Sequence, residues 1–466
     1  MCREKQTGAV SKLVKTVLLE TERYKHSQTT YEKKQKGQYF TSERIADYMA
    51  KLVSDEKPYM RILDPGAGNG LLALKVLEVL LKSDKTVSIH ITYVENDSDV
   101  LPVLYLIKRE LESISSIGPV DISCDIVYKN FLLESIEGVY DLVISNPPYF
   151  KISRNSDEAR AMSSFVYGQP NVYALFIVKA LQKLIENGNF IFITPRSWTS
   201  GSYFLKLREY LFSNASITNI HLFNVRDKVF SSENVLQETI IWSGVKKKNQ
   251  NQQILISTSE NDYFNNFKTF AVFRQDVVTA NDYRMFLPLD NLDYELLKSI
   301  NTYSYTFDSL GYSFKTGPVV EFRNQMSISN HPSTHSIPMF RSLNIRNGSF
   351  VFPVISDKAQ YVDVYHNESL RIKNKPTIIV KRLSAKEEER RLQCCRYFPF
   401  SDDEFISMEN HVNYLVRKDG ASLSDSEVEW AYQIISSERY DKYFRMISGS
   451  TQVNAQDLNT LPVPIR

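Results

Sequence analysis

Asn146, Pro147 and Tyr149 stand together at the end of an apolar, β-branched run, Asp141-Leu142-Val143-Ile144-Ser145. The run reads as a buried strand, and Pro147 and Pro148 forbid its continuation. One amide side chain, one proline-flanked carbonyl and one aromatic ring are thereby delivered to the carboxyl end of a strand, where open α/β sheets bind ligands. The chemistry suited to this set is activation of an exocyclic amine or amide nitrogen, a poor nucleophile because its lone pair is delocalised. Hydrogen bonds from its N–H groups to the Asn146 side-chain oxygen and the Pro147 carbonyl draw the nitrogen toward sp3 and aim the lone pair at an electrophile. The same acceptors stabilise positive charge as it develops, which is a transition-state effect. Tyr149 offers a face on which a planar base stacks. A strand-end turn with a spare tyrosine is the alternative. Asn-Pro alone is a common turn; Asn-Pro-Pro-Tyr after a strand is much rarer.

A second constellation lies upstream in Arg61-Ile62-Leu63-Asp64-Pro65-Gly66-Ala67-Gly68-Asn69-Gly70. Ile62-Leu63 reads as a short strand and Leu71 to Leu81 as an apolar helix. The glycines bend the loop between them and let a ligand approach the backbone closely. The spacing is neither a Walker loop nor the Gly-x-Gly-x-x-Gly fingerprint. Asp64 and Pro65 sit where the strand ends. The next strand, Ser88 to Val94, ends at Glu95-Asn96. An acid at that tip fits hydrogen bonding to ribose hydroxyls; the other reading is a charge opening the helix Asp97 to Glu112, and the glycine loop favours ribose. A third strand, Asp121 to Tyr128, leads to Asn130 and Phe131, which suit hydrogen bonding to and packing on a purine ring, or equally a turn asparagine and a core phenylalanine. Thr41 or Ser42 caps a helix over Glu43 to Val53, and the turn before it can present a hydroxyl to a ligand.

Beyond the Asn-Pro-Pro-Tyr strand, Lys151 to Pro170 is polar and aperiodic and reads as a mobile loop over the site. A helix over Val172 to Ile185, a strand over Phe190 to Thr194, a helix over Phe204 to Phe212 and strands over Ile217 to Phe223 and Glu238 to Ser243 follow. Between the last two, Phe230 is placed to close the other face of a flat substrate, or to cap a core.

The length of 466 residues allows two or three domains, and 42% hydrophobic with 24% charged residues is the composition of a soluble globular protein. Net charge is only +2, so any nucleic-acid site must be a local basic patch. Cys2, Cys124, Cys394 and Cys395 have no metal-ligand spacing, and adjacent cysteines do not easily pair, so reduced thiols and no metal are expected. There is no secretory pattern and no apolar run of about 18 residues. A cytoplasmic chain without membrane contact is expected. Residues 1–36 read as a basic helix and arm, polar around a helical run from Val10 to Leu19 and with Lys33, Lys34 and Lys36 either solvated or touching phosphates. Lys246-Lys247-Lys248-Asn249-Gln250-Asn251-Gln252-Gln253 reads as a linker or hinge, placing a second domain at 246–466.

In this order, GQYFTSERIADYM, ILDPGAGNG, YVENDSDV, KNFL, ISNPPYF, NVYALFIVKALQKLIENG and DKVFSSENVLQETIIW resemble the motifs of gamma-class S-adenosylmethionine-dependent DNA adenine-N6 methyltransferases of type II restriction–modification systems. The resemblance covers about residues 37–245; the glycine loop and the Asn-Pro-Pro-Tyr box carry most of its specificity. It implies an α/β fold: a Rossmann-like, seven-stranded, mostly parallel sheet with a terminal antiparallel hairpin over 37–245, then a C-terminal α+β target-recognition domain. Thr41 and Asp64, Pro65, Gly66, Ala67 and Gly68 are implied to contact the methionine part of S-adenosylmethionine. Glu95, with Asn96 beside it, is implied to bind the ribose, and Asn130 and Phe131 the cofactor adenine. Asn146, Pro147 and Tyr149 are implied to hold the target adenine, flipped out of double-stranded DNA, with Phe230 on its opposite face. Many relatives carry Asp where Asn130 stands. A monomer is expected, with a cognate restriction endonuclease as a functional partner. Ile447 to Val453 and Leu461 to Pro464 are similar to segments of recognition domains. The Asn-Pro-Pro-Tyr box also serves methylation of RNA guanine N2 and of protein glutamine. A combined nuclease–methyltransferase, for which no Pro-Asp…Glu-x-Lys pattern is found, and a DNA-binding protein without catalysis are the other readings.

Overall fold

The computed structural model describes residues 2–27, 40–54, 56–223, 238–249, 252–365, 367–384, 388–447 and 452–465. Phe230, the lysines at 33, 34 and 36, residues 37–39 and Ser448 to Thr451 lie outside them. The chain divides into two compact units, one reaching to Asp290 and one from Asn291 to Arg466.

The first unit is built on β1 (Tyr59–Pro65), β2 (Ser88–Glu95), β3 (Asp121–Tyr128), β4 (Tyr140–Ser145), β5 (Leu184–Pro195), β6 (Ser216–Phe223), β7 (Thr239–Val245), β8 (Gln253–Ser259) and β9 (Lys268–Phe273). Their order in the sheet is β3-β2-β1-β4-β5-β7-β6-β8-β9. β1 pairs in parallel with both β2 and β4, so the chain winds outward one way and then back across the other side of β1. That reversal opens a crevice at the carboxyl ends of β1 and β4. β7 is antiparallel to β5 and β6, the expected hairpin. The seven expected strands are therefore present, and two more extend the edge.

Strand alternation explains the layers. Ile62, Ile89, Ile91, Leu142, Ile144, Ile191, Ile193 and Ile241 share one core with α1 (Cys2–Ser27), α2 (Glu43–Ala50), α3 (Leu71–Leu80) and α4 (Leu101–Ser115). Their neighbours Leu63, Val143, Phe190, Phe192 and Trp242 are equally buried, and the two-residue period puts them on the opposite face. The central strands are apolar on both sides, as a sheet covered on both faces requires. α5 (Val172–Lys183) contacts β4 and β5 and packs against α6 (Leu205–Asn214).

The N-terminal helix differs from the expected arm. It runs over 26 residues, and Val10, Leu13, Val14 and Val17 are buried against α3 and α4. Gln6 is fully buried; its amide donates to the carbonyls of Ile114 and Val120 and accepts from the Val120 amide. Basic residues interleave with this apolar stripe, and that hid the buried face in the composition.

The expected boundary at 245/246 also moves. Lys246 and Asn187 exchange backbone hydrogen bonds with the neighbouring strand end, and β8 pairs in parallel with β6 from Asn219↔Leu255 to Phe223↔Ser259. The stretch read as a linker is a connection within one sheet. Buried Arg208 on α6 donates to the Asp282, Trp198 and Gly201 carbonyls, tying the chain up to Asp290 into the same unit. A polar, lysine-rich composition does not distinguish a hinge from a loop that returns to a sheet edge.

The second unit is α+β. A four-stranded antiparallel sheet orders Tyr312–Thr316, Val412–Arg417, Thr377–Lys381 and Cys394–Tyr397. Five shorter strands form another sheet, and Phe340, Ile379, Cys395, Tyr397 and Met408 share a core. The helix Asp425–Ile435 starts in a capping box made by Ser424 and Glu427. Cys394 and Cys395 are free, buried thiols, and burial pushes the Cys394 thiol up to about 12.

Leu13→Ala tests whether α1 is core or arm. It is expected to lower the stability of the first unit by about 2–5 kcal/mol in denaturant unfolding. A change below about 0.5 kcal/mol, the range of ordinary surface substitutions, would make α1 a detachable arm.

Candidate active site

The crevice at the sheet reversal is a cavity of about 380 Å³, within the usual range of small-ligand sites. Thr41, Gly66, Ala67, Gly68, Glu95, Asn96, Asn130, Phe131, Asn146 and Pro147 line it. Residues drawn from four strand ends and from the turn before α2 thus meet in one place.

The glycine loop is shaped by the chain on both sides of it. The Gly66 and Ala67 amides donate to the Val94 carbonyl at 2.8 and 3.1 Å, which closes the loop against the end of β2. Ser145 donates to the Pro65 carbonyl at 2.6 Å and ties β4 to β1. Gly68 has φ +53, and an added Cβ would sit 3.3 Å from the Phe40 ring. Gly70 has φ +74 and leaves only 2.8 Å between such a Cβ and Ile107. Both positions need glycine, for conformation and for space.

Backbone amides hold both oxygens of the Glu95 carboxylate. Oε2 accepts from the Gly68 amide at 2.7 Å, and Oε1 from the Asn96 and Asp97 amides at 2.8 and 2.9 Å. The helical turn that follows is capped instead by Asp97, whose side chain accepts from the Asp99 amide. Glu95 therefore fixes the glycine loop from the tip of β2 while lining the cavity. Burial raises its pKa against the pull of those amides.

Asp64 and Pro65 do not line the cavity; both are buried behind the loop. Neither Asp64 carboxylate oxygen has a partner in good hydrogen-bond geometry. Burial holds the Asp64 pKa well above the ordinary carboxylate range, the Ala73 amide opposes this, and the charge of Glu95 adds to it.

Asn130 accepts from the Leu132 amide through Oδ1 at 3.0 Å and donates from Nδ2 to Glu158 at 3.1 Å. The Phe131 and Phe176 ring centroids are 5.1 Å apart, and both rings line the cavity. Phe176 comes from the first turns of α5, where it read only as an apolar position. Phe40, Phe150 and Glu158 also line the cavity. Phe40 lay in the aromatic turn before α2 and was visible there; Glu158 lay in a stretch read as a mobile loop. That stretch instead holds a short helix, Asp157–Ala161, capped by Ser156 with Ala159 buried.

At the β4 end, Asn146 Nδ2 donates to Thr41 Oγ1 at 3.1 Å. Ser42, not Thr41, caps α2. The Tyr149 hydroxyl lies 2.5 Å from Asn146 Oδ1 and 2.9 Å from the Ile193 carbonyl. Tyr149 is buried and packs edge-on against Tyr173, so its ring is not among the cavity walls. The expected open stacking face is turned inward because the phenol finds two acceptors there. Burial holds its pKa well above the ordinary value.

The chain is similar to the type II methyltransferase M.BsuBI of Bacillus subtilis, with 31% identity over 93% of this chain and 88% of that protein. Similarity to the type II methyltransferase M.PstI of Providencia stuartii is comparable, at 30% over 92% and 87%. The chain belongs to the type II methyltransferase family. A family model described as Eco57I restriction-modification methylase matches residues 82–230 of this methyltransferase, a span from β2 past the Asn-Pro-Pro-Tyr box. Its fold is similar to that of a nuclease-deletion mutant of the Type ISP restriction-modification enzyme LlaGI, solved with a DNA substrate mimic, at a TM-score of 0.51, with 12% identity over 87% of this chain and 44% of that one. No helix among the described residues is long and apolar enough to cross a membrane.

Asp64 gives the methyltransferase a pH signature. Its carboxyl ionises near its ordinary pKa of about 3.9 in the unfolded chain but holds its proton to higher pH when folded. The unfolded state then binds fewer protons, so stability falls as pH rises from that ordinary value through the raised one. Asp64→Asn removes the effect. The melting temperature of the variant is expected to gain on that of the unmodified protein as pH rises from about 5 to 8 without ligand, a window above the ordinary pKa. A pH-independent difference would show that Asp64 is not strained by burial.

Proposed function

We propose that this methyltransferase transfers a methyl group from S-adenosylmethionine to N6 of an adenine flipped out of double-stranded DNA, at a sequence read by its second unit. The observation that carries the reading is one shared cavity, with the glycine loop and Glu95 on one side and Asn146-Pro147 on the other. Glu95 fits the cofactor by placing a carboxylate in the cavity wall. Phe131 and Phe176 fit its purine, and Glu95 keeps lone-pair capacity for a ribose hydroxyl beyond the amides it accepts from. When bound, S-adenosylmethionine supplies an electrophilic methyl group on a sulfonium.

The chain's own part is to hold and polarise the amine. Asn146 Oδ1 and the Pro147 carbonyl accept its two N–H bonds, draw the lone pair out of conjugation and stabilise charge as nitrogen becomes cationic. Thr41 fixes the Asn146 amide by accepting a hydrogen bond from Nδ2, so the oxygen stays directed away from Thr41. The Tyr149 hydroxyl must give way at Asn146 Oδ1 and can remain on the Ile193 carbonyl. Phe230 is proposed to stack on the flipped base. Thr41 and the loop from Gly66 to Gly68, backed by Asp64 and Pro65, are assigned to the methionine part of the cofactor, Glu95 and Asn96 to the ribose, and Asn130 with Phe131 to the cofactor adenine. The unit from Asn291 onward is assigned to base readout, which needs elements able to enter the major groove. The protein is proposed to act as a cytoplasmic monomer, protecting DNA from a cognate endonuclease.

Incubation with radiolabelled S-adenosylmethionine and duplex DNA, followed by digestion to nucleosides and mass spectrometry, tests the reading. Label in N6-methyladenine is expected. Label in another base, or transfer to RNA guanine or protein glutamine in parallel incubations with those substrates and none to DNA, would overturn it. Asn146→Ala is expected to slow single-turnover transfer by about 100-fold or more while cofactor and DNA affinities stay within a few-fold, since its acceptor acts mainly in the transition state. Near-normal turnover would remove Asn146 from the chemistry.

A further inference from the structure

The cavity wall contains a carboxylate that the reading above does not use. Glu158 lies in the helical turn between the Asn-Pro-Pro-Tyr box and α5, where the Ser156 cap and buried Ala159 fix its backbone. Its side chain lines the cavity together with Asn130 and Phe131, and among the described residues its single side-chain hydrogen bond comes from Asn130 Nδ2 at 3.1 Å. Arg160 and Arg154 of the same stretch are committed elsewhere, to Asp157 and to the Gly168 carbonyl. Glu158 makes no ion pair among the described residues.

The orientation of Asn130 gives this carboxylate its meaning. Oδ1 of Asn130 accepts from the Leu132 amide at 3.0 Å, so the NH2 end faces Glu158. A flipped amide would set its oxygen against a carboxylate and its NH2 against an N–H, losing both bonds. Toward Glu158, Asn130 is therefore a donor. A purine amine has its lone pair in the ring and acts only as a donor, so it needs an acceptor at this end of the cavity.

We propose that Glu158 is that acceptor: it binds the exocyclic amine of the cofactor's purine, with Asn130 holding the carboxylate in place and Phe131 packing on the ring. This assignment rests on the S-adenosylmethionine reading. It carries a specificity consequence. A purine with a carbonyl in place of the amine would bring an acceptor against a carboxylate and be rejected.

The test is calorimetric binding by the full chain of S-adenosylhomocysteine and of its deaminated counterpart, S-inosylhomocysteine. The unmodified protein is expected to prefer the adenosyl ligand by about ten- to a hundredfold, the worth of a charge-assisted hydrogen bond. Glu158→Ala is expected to remove that preference by weakening adenosyl binding while leaving inosyl binding unchanged or improved. Glu158→Gln, which keeps the shape and one acceptor oxygen, is expected to retain part of it, and unaltered circular dichroism identifies folded variants. Glu158→Ala with the original preference would overturn the assignment, and so would equal binding of both ligands by the unmodified protein. Failure of the unmodified protein to bind either ligand would overturn the cofactor reading and this assignment with it.

Discussion

Everything at the site depends on β1 being hydrogen-bonded in parallel on both sides. Because β2 and β4 flank it in register, the chain must leave β1 in one direction, return, and cross to the other side. No helix can cover the carboxyl edge at that reversal, and the edge stays open as a crevice. The glycine loop leaves from β1, Glu95 ends β2 and Asn146 follows β4, so sheet register brings three chemically different groups to one cavity. The core under the sheet holds those strand ends rigid, which is what precise positioning of small polar groups requires.

The electrostatics of the crevice work against stability in its ligand-free form. Asp64 is buried without a well-made hydrogen bond and sits beside the charge of Glu95. A buried carboxyl in that condition is costly to ionise, and burial accordingly raises the pKa of both Asp64 and Glu95. The amides of Gly68, Asn96 and Asp97 offset part of the cost at Glu95 and lock the loop while doing so. A cation bound in the cavity would favour ionisation of these carboxyls and so offset part of the rest.

The other half of the crevice is held by neutral hydrogen bonds. Thr41 restrains Asn146 through its NH2, and Tyr149 occupies the oxygen that the proposed chemistry needs. Asn146 is thus satisfied before substrate arrives, which avoids an unpaired buried acceptor, and Tyr149 has the Ile193 carbonyl to fall back on. The reactive geometry requires an exchange of partners rather than the filling of an empty site.

The sequence by itself determined the strand ends and the residues on them. Asp64 to Gly70, Glu95, Asn130 and Asn146 to Tyr149 were legible because strand period, proline and glycine act locally, and local rules read correctly from one chain. The hairpin of β6 and β7 was legible for the same reason. Three things were decided only by tertiary structure. The helix from Cys2 to Ser27 became core because α3 and α4 offer it an apolar groove, whereas its own sequence is mixed with lysines. The first unit ran on to Asp290 because β8 found the free edge of β6, a pairing between distant segments that no local signal records. Glu158 joined the cavity, and Tyr149 turned away from it, because hydrogen-bond partners on other strands and loops, Asn130 for one and Asn146 and Ile193 for the other, were brought within reach only when the sheet closed around them.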